Sequence, residues 1–262
     1  MKMSRTTVIE ETRGFVRILR MNRPQAKNAF NNQMYNELAD AIGEAAATRD
    51  VRVLLLTGTG DSYSAGQDLS EMSKLAPTDG SPVGFERLLD ALVACDKPIV
   101  AAVNGLAVGI GMTMLPHVDL VYFAKTAKLR CPFAPLGVTP EAASSLTLPR
   151  IFGYQKAAEF LFTGRWMPAD EAVALGLGLA VVEPDALLDT ALAKATELAA
   201  MPPKAIQAMK RLLRHTDVPS IKDIRKLEND TLFARIGTPE NNEAIRAFFE
   251  KRAPDFTNLP DE

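Results

Sequence analysis

Two glycine-bearing turns could hold a negative charge through their backbone N–H groups. The first, SAGQD at 64–68, follows an apolar run at 51–57, and the second, GIG at 109–111, follows another at 98–103. A helix is predicted to begin directly after each turn, so N–H groups there have no partner inside the helix. Such groups bind anions and the oxyanions that develop in acyl chemistry. Tight packing turns of similar composition are common in α/β proteins, so each turn taken alone has two interpretations.

A glutamate is the third feature that could do chemistry. Glu141 follows Pro140 at the predicted start of a helix. In the structural interpretation, it is a first-turn carboxylate that the helix dipole stabilises. In the functional interpretation, it is a partly desolvated carboxylate that acts as a general base. The residues alone leave both open.

Several other kinds of site are excluded by spacing. The glycines at 105–111 do not have the G-x-G-x-x-G spacing of a dinucleotide site, and a Walker lysine with its Ser/Thr is absent from the sequence. The two cysteines, Cys95 and Cys131, and the two histidines, His117 and His215, lie far apart. We therefore predict no NAD or ATP site, no disulfide framework and no metal.

The composition limits the partners of the chain. Its 262 residues are 47% hydrophobic and 24% charged, with a net charge of −2. This is typical of a globular chain without the basic surface that nucleic acids or anionic membranes attract. The sequence lacks an apolar run near the roughly 18 residues of a membrane span, and the N-terminus does not resemble a signal peptide. We expect a cytoplasmic protein that binds neither nucleic acid nor membrane.

The elements that must position these residues alternate between strands and helices, which is typical of an α/β fold. A hairpin is predicted at 7–21, followed by a helix that Asn31 or Asn32 caps and that ends near Thr48. Further buried strands are predicted at 51–57, 98–103, 120–123 and 179–182. Later helices are predicted at 185–200, 203–213, 220–235 and 239–251. The chain is thus divided into an α/β core at 1–183 and a helical region at 184–262.

An ordered set of motifs runs along nearly the whole chain. Its members are 22–24 (NRP), 27–29 (KNA), 63–68 (YSAGQD), 97–105 (KPIVAAVNG), Asp119, 136–137 (LG), 148–150 (LPR), 162–164 (FTG), Ala172, 175–177 (LGL) and 248–252 (FFEKR). In this order and spacing they resemble the crotonase (enoyl-CoA hydratase/isomerase) superfamily. As a set they are highly specific.

The resemblance implies a β-β-α spiral core with a C-terminal helical trimerisation region, assembled as a homotrimer or as a hexamer of two trimers. It implies that the N–H groups of Gln67 and Ile110 hold the oxygen of an acyl-CoA thioester, with no cofactor because CoA is part of the substrate. The substrate contacts that it implies are Ala26, Lys27, Ala29, Ser64, Ala65, Gly66, Asp68, Leu69, Gly109, Phe133, Phe248 and Lys251. For Lys27, a solvated side chain and a phosphate contact are both open, and Phe248 and Lys251 could reach a neighbouring subunit.

Two positions decide which reaction the resemblance implies. Hydratases of this family hold water between two glutamates, and the register puts Thr113 and Phe133 at those positions. Neither side chain can transfer a proton near pH 7. Glu141 is then the remaining acidic candidate. The chain is most similar to the Δ3,Δ2-enoyl-CoA isomerase branch, in which one glutamate moves a proton from C2 to C4 during fatty-acid β-oxidation. An apolar wall at Phe133 would raise the basicity of that carboxylate by desolvation.

Two other functions stay open on the sequence. One is an enoyl-CoA hydratase or another crotonase-type reaction, with Glu141 handling water alone. The other is a catalytically silent acyl-CoA-binding protein. The segment 72–84, rich in Pro, Gly and Ser, is predicted to line the acyl tunnel as an irregular loop or broken helix.

Overall fold

The computed structural model describes residues 5–74 and 84–260, which form two sheets surrounded by helices. The strands are β1 (Val8–Arg13), β2 (Val16–Met21), β3 (Val53–Gly58), β4 (Ser62–Ser64), β5 (Ile99–Val103), β6 (Leu106–Val108), β7 (Leu120–Ala124), β8 (Lys128–Arg130), β9 (Met167–Pro168) and β10 (Ala180–Val182). The α-helices are α1 (Asn32–Ala47), α2 (Gly84–Ala94), α3 (Ile110–Thr113), α4 (Ser144–Phe152), α5 (Tyr154–Thr163), α6 (Ala169–Ala174), α7 (Leu187–Ala200), α8 (Pro203–Leu213), α9 (Asp217–Arg235) and α10 (Pro239–Glu250). Short 3₁₀ segments lie at Pro24–Ala26, Leu69–Lys74, Leu115–His117, Ala134–Leu136 and Pro184–Ala186. Most of the predicted tunnel segment, 75–83, lies outside the described residues.

The larger sheet has the strand order β1-β2-β3-β5-β7-β10. The first two strands form the predicted hairpin, in which Val8 pairs with Met21 and Arg13 with Val16. The strands from β2 to β10 run parallel to their neighbours. Both β3 and β5 are buried along their whole length. A parallel strand covered on both faces reads as a continuous apolar run, which is why the sequence predicted these strands correctly.

The smaller sheet has the order β4-β6-β8-β9, and its first three strands each follow a strand of the larger sheet by a few residues. At Gly105, between β5 and β6, a Cβ would lie 1.8 Å from the carbonyl oxygen of Asp61. Glycine is therefore required for this close approach of two turns. The sequence did not predict these two- and three-residue strands, because so short a run carries no measurable period. The repeated unit of two strands followed by a helix matches the β-β-α arrangement that the resemblance implies.

The first helix shows how local sequence fixes an element. Asn31 caps α1 by accepting a hydrogen bond from the N–H of Met34 at 2.9 Å. Met34, Leu38 and Ile42 lie on one face and are fully buried. Burying each of these side chains stabilises the fold by roughly 1.5–3 kcal/mol. The Asn31 cap and the spacing of the buried side chains both match the helix predicted from the sequence, so this prediction is confirmed.

The C-terminal helices pack on the core and form hydrogen bonds with it. From residue 183 to residue 260 the structure contains helices and no strand, and the division of the chain into two regions stays a prediction. The buried face of α7, formed by Leu187, Ala191, Ala195 and Ala199, packs on the larger sheet. In α8, the Lys210 ammonium donates to the Asp119 carboxylate and to the carbonyl of Lys97, both at 2.7 Å. None of the described helices combines the length and apolar content needed to span a bilayer.

Candidate functional site

The two glycine turns meet in space. Gly66 has a φ of +89° and Gly109 a φ of +51°, both in the region that favours glycine. A Cβ on Gly66 would lie 2.6 Å from the carbonyl oxygen of Val108, and a Cβ on Gly109 would lie 3.9 Å from the Cα of Gly66. The turns are therefore packed backbone against backbone. At Gly66, both the conformation and the space exclude a side chain.

Each turn carries a backbone N–H group that has no hydrogen-bond acceptor among the described residues. At the first turn, Phe30 donates to the carbonyl of Gly66 at 2.7 Å, and the N–H of Asp68 donates to the carbonyl of Phe30 at 2.9 Å. Between these bonds, the N–H of Gln67 donates to no acceptor within the described part of the chain. Ile110 is the first residue of α3, and its N–H also has no acceptor among the described residues. The predicted donors are thus both available beside the contact between the turns.

Glu141 lies next to the second turn. A Cβ on Gly109 would be 3.8 Å from its Oε1 atom. Burial, with a smaller contribution from the Glu228 carboxylate, raises the pKa of Glu141 to about 8. The Thr113 hydroxyl lies close enough to oppose this rise, yet it is fully buried and makes no hydrogen bond within residues 5–74 and 84–260. A carboxylate that is basic near neutral pH has the property a general base needs.

The segment that carries Glu141 adopts an unusual backbone conformation. Ala142 and Ala143 both have a φ of +58°, and the left-handed region costs an alanine roughly 1–2 kcal/mol. The N–H and hydroxyl of Ser144 donate to the carbonyl of Glu141 at 2.9 and 2.6 Å. These bonds fix the turn directly after Glu141 and place it just before α4.

A cavity of about 630 Å³ joins the glycine turns to Glu141. The predicted site residues that line it are Ala26, Ala29, Ala65, Gly66, Gln67, Asp68, Leu69, Gly109, Phe133, Glu141 and Phe248. Phe133 is only 6% exposed and forms an apolar wall. A largely apolar cavity of this size with a few polar groups is typical of a small-molecule site.

The remaining predicted site residues do not line this cavity. Ser64 is fully buried, and its hydroxyl accepts a hydrogen bond from the N–H of Gly66 at 3.1 Å and donates to a backbone carbonyl at 2.8 Å. It therefore stabilises the first turn. Ile110 is buried and offers only its backbone N–H. Lys27 and Lys251 have exposed side chains, and their substrate contacts stay predictions.

Other lining residues were not among the predicted site residues. The helices α9 and α10 and the residues after them contribute Leu232, Ile236, Ala244, Phe249, Arg252 and Pro254. At the other side lie Arg130 and Trp166, with the guanidinium carbon 5.3 Å from the indole ring centre. The sequence missed these residues because only folding brings them to the glycine turns. Phe248 lines the cavity of its own chain, and its contact with a neighbouring subunit stays a prediction.

A second carboxylate in the lining, Asp68, differs from Glu141. It accepts hydrogen bonds from Arg23 at 3.1 Å and from the Ser70 hydroxyl at 2.7 Å. Burial raises the pKa of Asp68, but these hydrogen bonds outweigh that effect and lower it. Asp68 is thus a paired, weakly basic group.

Comparison with known proteins gives one family. A family model described as enoyl-CoA hydratase/isomerase matches residues 11–259. A probable enoyl-CoA hydratase, echA8, of Mycobacterium tuberculosis is 35% identical over 256 residues, covering 98% of this chain and 100% of the relative. Enoyl-CoA delta isomerase 2 of Homo sapiens is 34% identical over 259 residues, covering 95% of this chain and 64% of the relative. The crystal structure of an enoyl-CoA hydratase/isomerase from Pseudoalteromonas atlantica has 38% identity and a TM-score of 0.92, covering 96% of this chain and 100% of that one.

Proposed function

We propose that this chain, which belongs to the enoyl-CoA hydratase/isomerase (crotonase) family, is a Δ3,Δ2-enoyl-CoA isomerase with Glu141 as its single base. Membership of the family makes it a crotonase-type acyl-CoA enzyme. The observation that carries the finer assignment concerns the carboxylates lining the cavity. In the described part of the chain, Glu141 combines a raised pKa with a position beside the glycine turns, whereas Asp68 is paired and has a lowered pKa.

In this mechanism, the thioester oxygen of a 3-enoyl-CoA accepts hydrogen bonds from the N–H groups of Gln67 and Ile110. Glu141 removes a proton from C2, and the electron pair of that C–H bond forms a dienolate whose charge rests on the thioester oxygen. The protonated carboxyl group then gives the proton to C4, which leaves a conjugated 2-enoyl thioester. The two donors act on charge that develops only as the reaction proceeds, which is the condition for catalysis.

The surroundings of Glu141 favour isomerisation over hydration. Adding water requires one group to take a proton from water and another to protonate carbon. Thr113 is neutral and Phe133 is an apolar, buried wall, so the two positions of the hydratase pair lack carboxylates. A proton shuttle needs one carboxylate and no bound water.

A second candidate function has support from the relatives. The mycobacterial relative bears the name of a probable hydratase, and in that candidate Glu141 would activate water alone. The two functions differ in the substrate that is consumed. A hydratase consumes a 2-enoyl-CoA, which is the product of the isomerase.

The test is to incubate the protein separately with a 3-enoyl-CoA and a 2-enoyl-CoA and to follow conjugation of the double bond. We expect conjugation of the first, little hydration of the second, and a loss of about 10²–10⁴ in kcat for Glu141→Gln, the range typical of general acid–base groups. Circular dichroism checks that the variant is folded. Retained isomerisation in the variant, or hydration faster than isomerisation, would contradict the proposal. Tight binding of acyl-CoA without proton exchange at C2 would instead identify a silent binding protein.

We also propose that CoA enters past Arg130, whose side chain lines the cavity and can pair with phosphate groups. Arg252 lines the cavity as well, but its guanidinium forms ion pairs with Glu243 and Glu250. A homotrimer or hexamer is proposed on the exposure of Leu212, Leu213 and Leu227, whose surfaces are 76%, 80% and 61% exposed in the single chain. Contiguous exposed apolar surface marks interaction sites, and Leu212 and Leu213 are consecutive at the end of α8. Analytical ultracentrifugation tests the assembly, and a monomer at micromolar concentration would contradict it.

A further inference from the structure

The N-terminus of α4, directly after Glu141, is capped by a residue from a distant part of the chain. Glu228, in α9, accepts hydrogen bonds from the N–H of Ala143, from the N–H of Ser145 at 2.8 Å and from the hydroxyl of Ser145. The local sequence offers no substitute, because the helix has no side-chain cap of its own. Glu228 is only 5% exposed. One buried carboxylate therefore satisfies the first N–H groups of the helix.

This cap acts on the strained part of the backbone. Ala142 and Ala143 adopt a conformation that alanine avoids, and such residues keep it only where their surroundings hold them. Glu228 holds the N–H of Ala143, and His117 lies on the other side with its Nε2 atom 2.7 Å from the carbonyl oxygen of Ala142. Burial lowers the pKa of His117 to about 4, so the ring is neutral near pH 7 and donates through Nε2–H.

We propose that Glu228 is the positioning residue for Glu141: it holds the two alanines in place so that the Glu141 carboxylate stays beside Gly109, and its charge tunes the proton affinity of that carboxylate. The inference deepens the proposed function and rests on it. Glu228 is not among the residues that line the cavity, so it acts through the backbone and through its electric field.

The charged and titratable groups around this pair come from several elements. They are Arg225 in α9, Glu86 and Asp90 in α2, His117 after α3, Arg214 after α8, and Tyr35 and Cys131, on which Glu141 acts. Arg225 forms ion pairs with Glu86 and Asp90, which leaves less of its charge to offset Glu228. Burial raises the pKa of Glu228 itself and Arg225 lowers it, while the like charge of Glu228 adds to the effect of burial in raising the pKa of Glu141.

The test compares two variants at Glu228 with a matched control. Glu228→Gln removes the charge and keeps one of the two acceptor oxygens, so it can still accept from Ser145 or from Ala143, whereas Glu228→Ala removes both oxygens. Glu37→Gln is the control, because Glu37 also accepts backbone N–H groups, those of Thr7 and Val8 among them, but at the start of β1. The titration of Glu141 is followed by ¹³C NMR of glutamate carboxyl carbons, with Glu141→Gln identifying the signal.

We expect Glu141 to titrate at lower pH in Glu228→Gln, and the acid limb of the pH–rate profile to move with it. In Glu228→Ala we expect kcat to fall about 10- to 100-fold with little change in KM, the size of effect that a small misplacement of a reacting group produces. Glu37→Gln should change neither the titration of Glu141 nor kcat. The inference is overturned if the pH at which Glu141 titrates is the same in Glu228→Gln as in the wild type. This criterion uses Glu228→Gln alone, so it also applies if Glu228→Ala does not fold. Because the NMR titration needs no turnover, a failure of the isomerase assignment is distinguishable from a failure of this inference.

Discussion

The paired glycine turns and the Glu141 segment lie side by side, yet their conformations are stabilised in different ways. Gly66 and Gly109 adopt positive φ at little cost, and their turns touch directly through the backbone. Ala142 and Ala143 adopt positive φ against their preference, and buried side chains from elsewhere in the chain hold them. The two glycine turns, which are the oxyanion-binding half of the proposed site, thus depend on local residue type. The Glu141 segment, which is the basic half, depends on tertiary contacts.

Apart from replacing Glu141 itself, the largest expected effect comes from separating the two glycine turns. In Gly66→Ala the new Cβ would lie 2.6 Å from the carbonyl oxygen of Val108, so the turns must separate and the two donors no longer converge. Losing one such donor typically slows a reaction by about 10²–10³, and we expect at least this loss in kcat/KM for a 3-enoyl-CoA.

Gly153→Ala is the matched control for that change. Gly153 has a φ of +76°, and a Cβ there meets nothing within 4 Å. It therefore tests the backbone strain without the collision. Equal losses of activity in the two variants would show that contact between the turns is not what matters.

The basic half predicts opposite effects of pH on activity and on stability. Glu141 has a pKa of about 8 in the folded chain against an ordinary value of 4.5. Below pH 8 the carboxyl group is increasingly protonated, so kcat/KM should fall as the pH is lowered. Stability behaves in reverse: between pH 4.5 and 8 the unfolded chain releases this proton and the folded chain keeps it, so the free energy of unfolding decreases as pH rises.

Glu141→Gln isolates the stability effect because it cannot ionise. We expect its Tm to exceed that of the wild type by a margin that grows from pH 5 to pH 8. Each pKa unit corresponds to about 1.4 kcal/mol, so a difference of several degrees is expected at pH 8. Thermal unfolding by calorimetry at the two pH values measures it. A margin independent of pH would mean that Glu141 is not held protonated by the fold.

The smallest expected effect concerns the Thr113 hydroxyl. This hydroxyl lies beside the Glu141 carboxylate and opposes the rise in its pKa, as a smaller effect than burial. Thr113→Val keeps the shape of the side chain and removes the hydroxyl, so the acid limb of the pH–rate profile should move to higher pH, opposite to the shift expected for Glu228→Gln. Measuring the pH–rate profiles of Thr113→Val and Glu228→Gln in one buffer series tests whether their acid limbs move in opposite directions. A shift of the acid limb to lower pH in Thr113→Val would contradict the account.

The same contrast explains how much could be predicted from the sequence. Gly66 and Ile110 stand in recognisable turns after buried strands, so both the turns and the family were predicted. The left-handed Ala142 and Ala143 carry no such signal, because alanine normally favours helix. Glu228, far along the chain in α9, resembles any solvated helical glutamate until folding brings it to α4.

Assignment of lining residues was limited for a related reason. Phe248 could be connected with a ligand through its motif, but which chain's cavity it lines depends on how α10 packs. Arg130 and Trp166 belong to no motif that marks them, and their contact across the second sheet follows from the pairing of β8 with β9. Residue spacing predicts neighbours along an element far better than neighbours across the fold.

The central claim, that one carboxylate removes and returns the proton, is tested most directly by following an isotope. A 3-enoyl-CoA carrying deuterium at C2 is converted in ordinary water, and early product is analysed for deuterium at C4. The account predicts deuterium at C4 in the early product of the wild type and conversion slowed by about 10²–10⁴ in Glu141→Gln. Product with only protium at C4 at the earliest times, formed at an undiminished rate by Glu141→Gln, would contradict it.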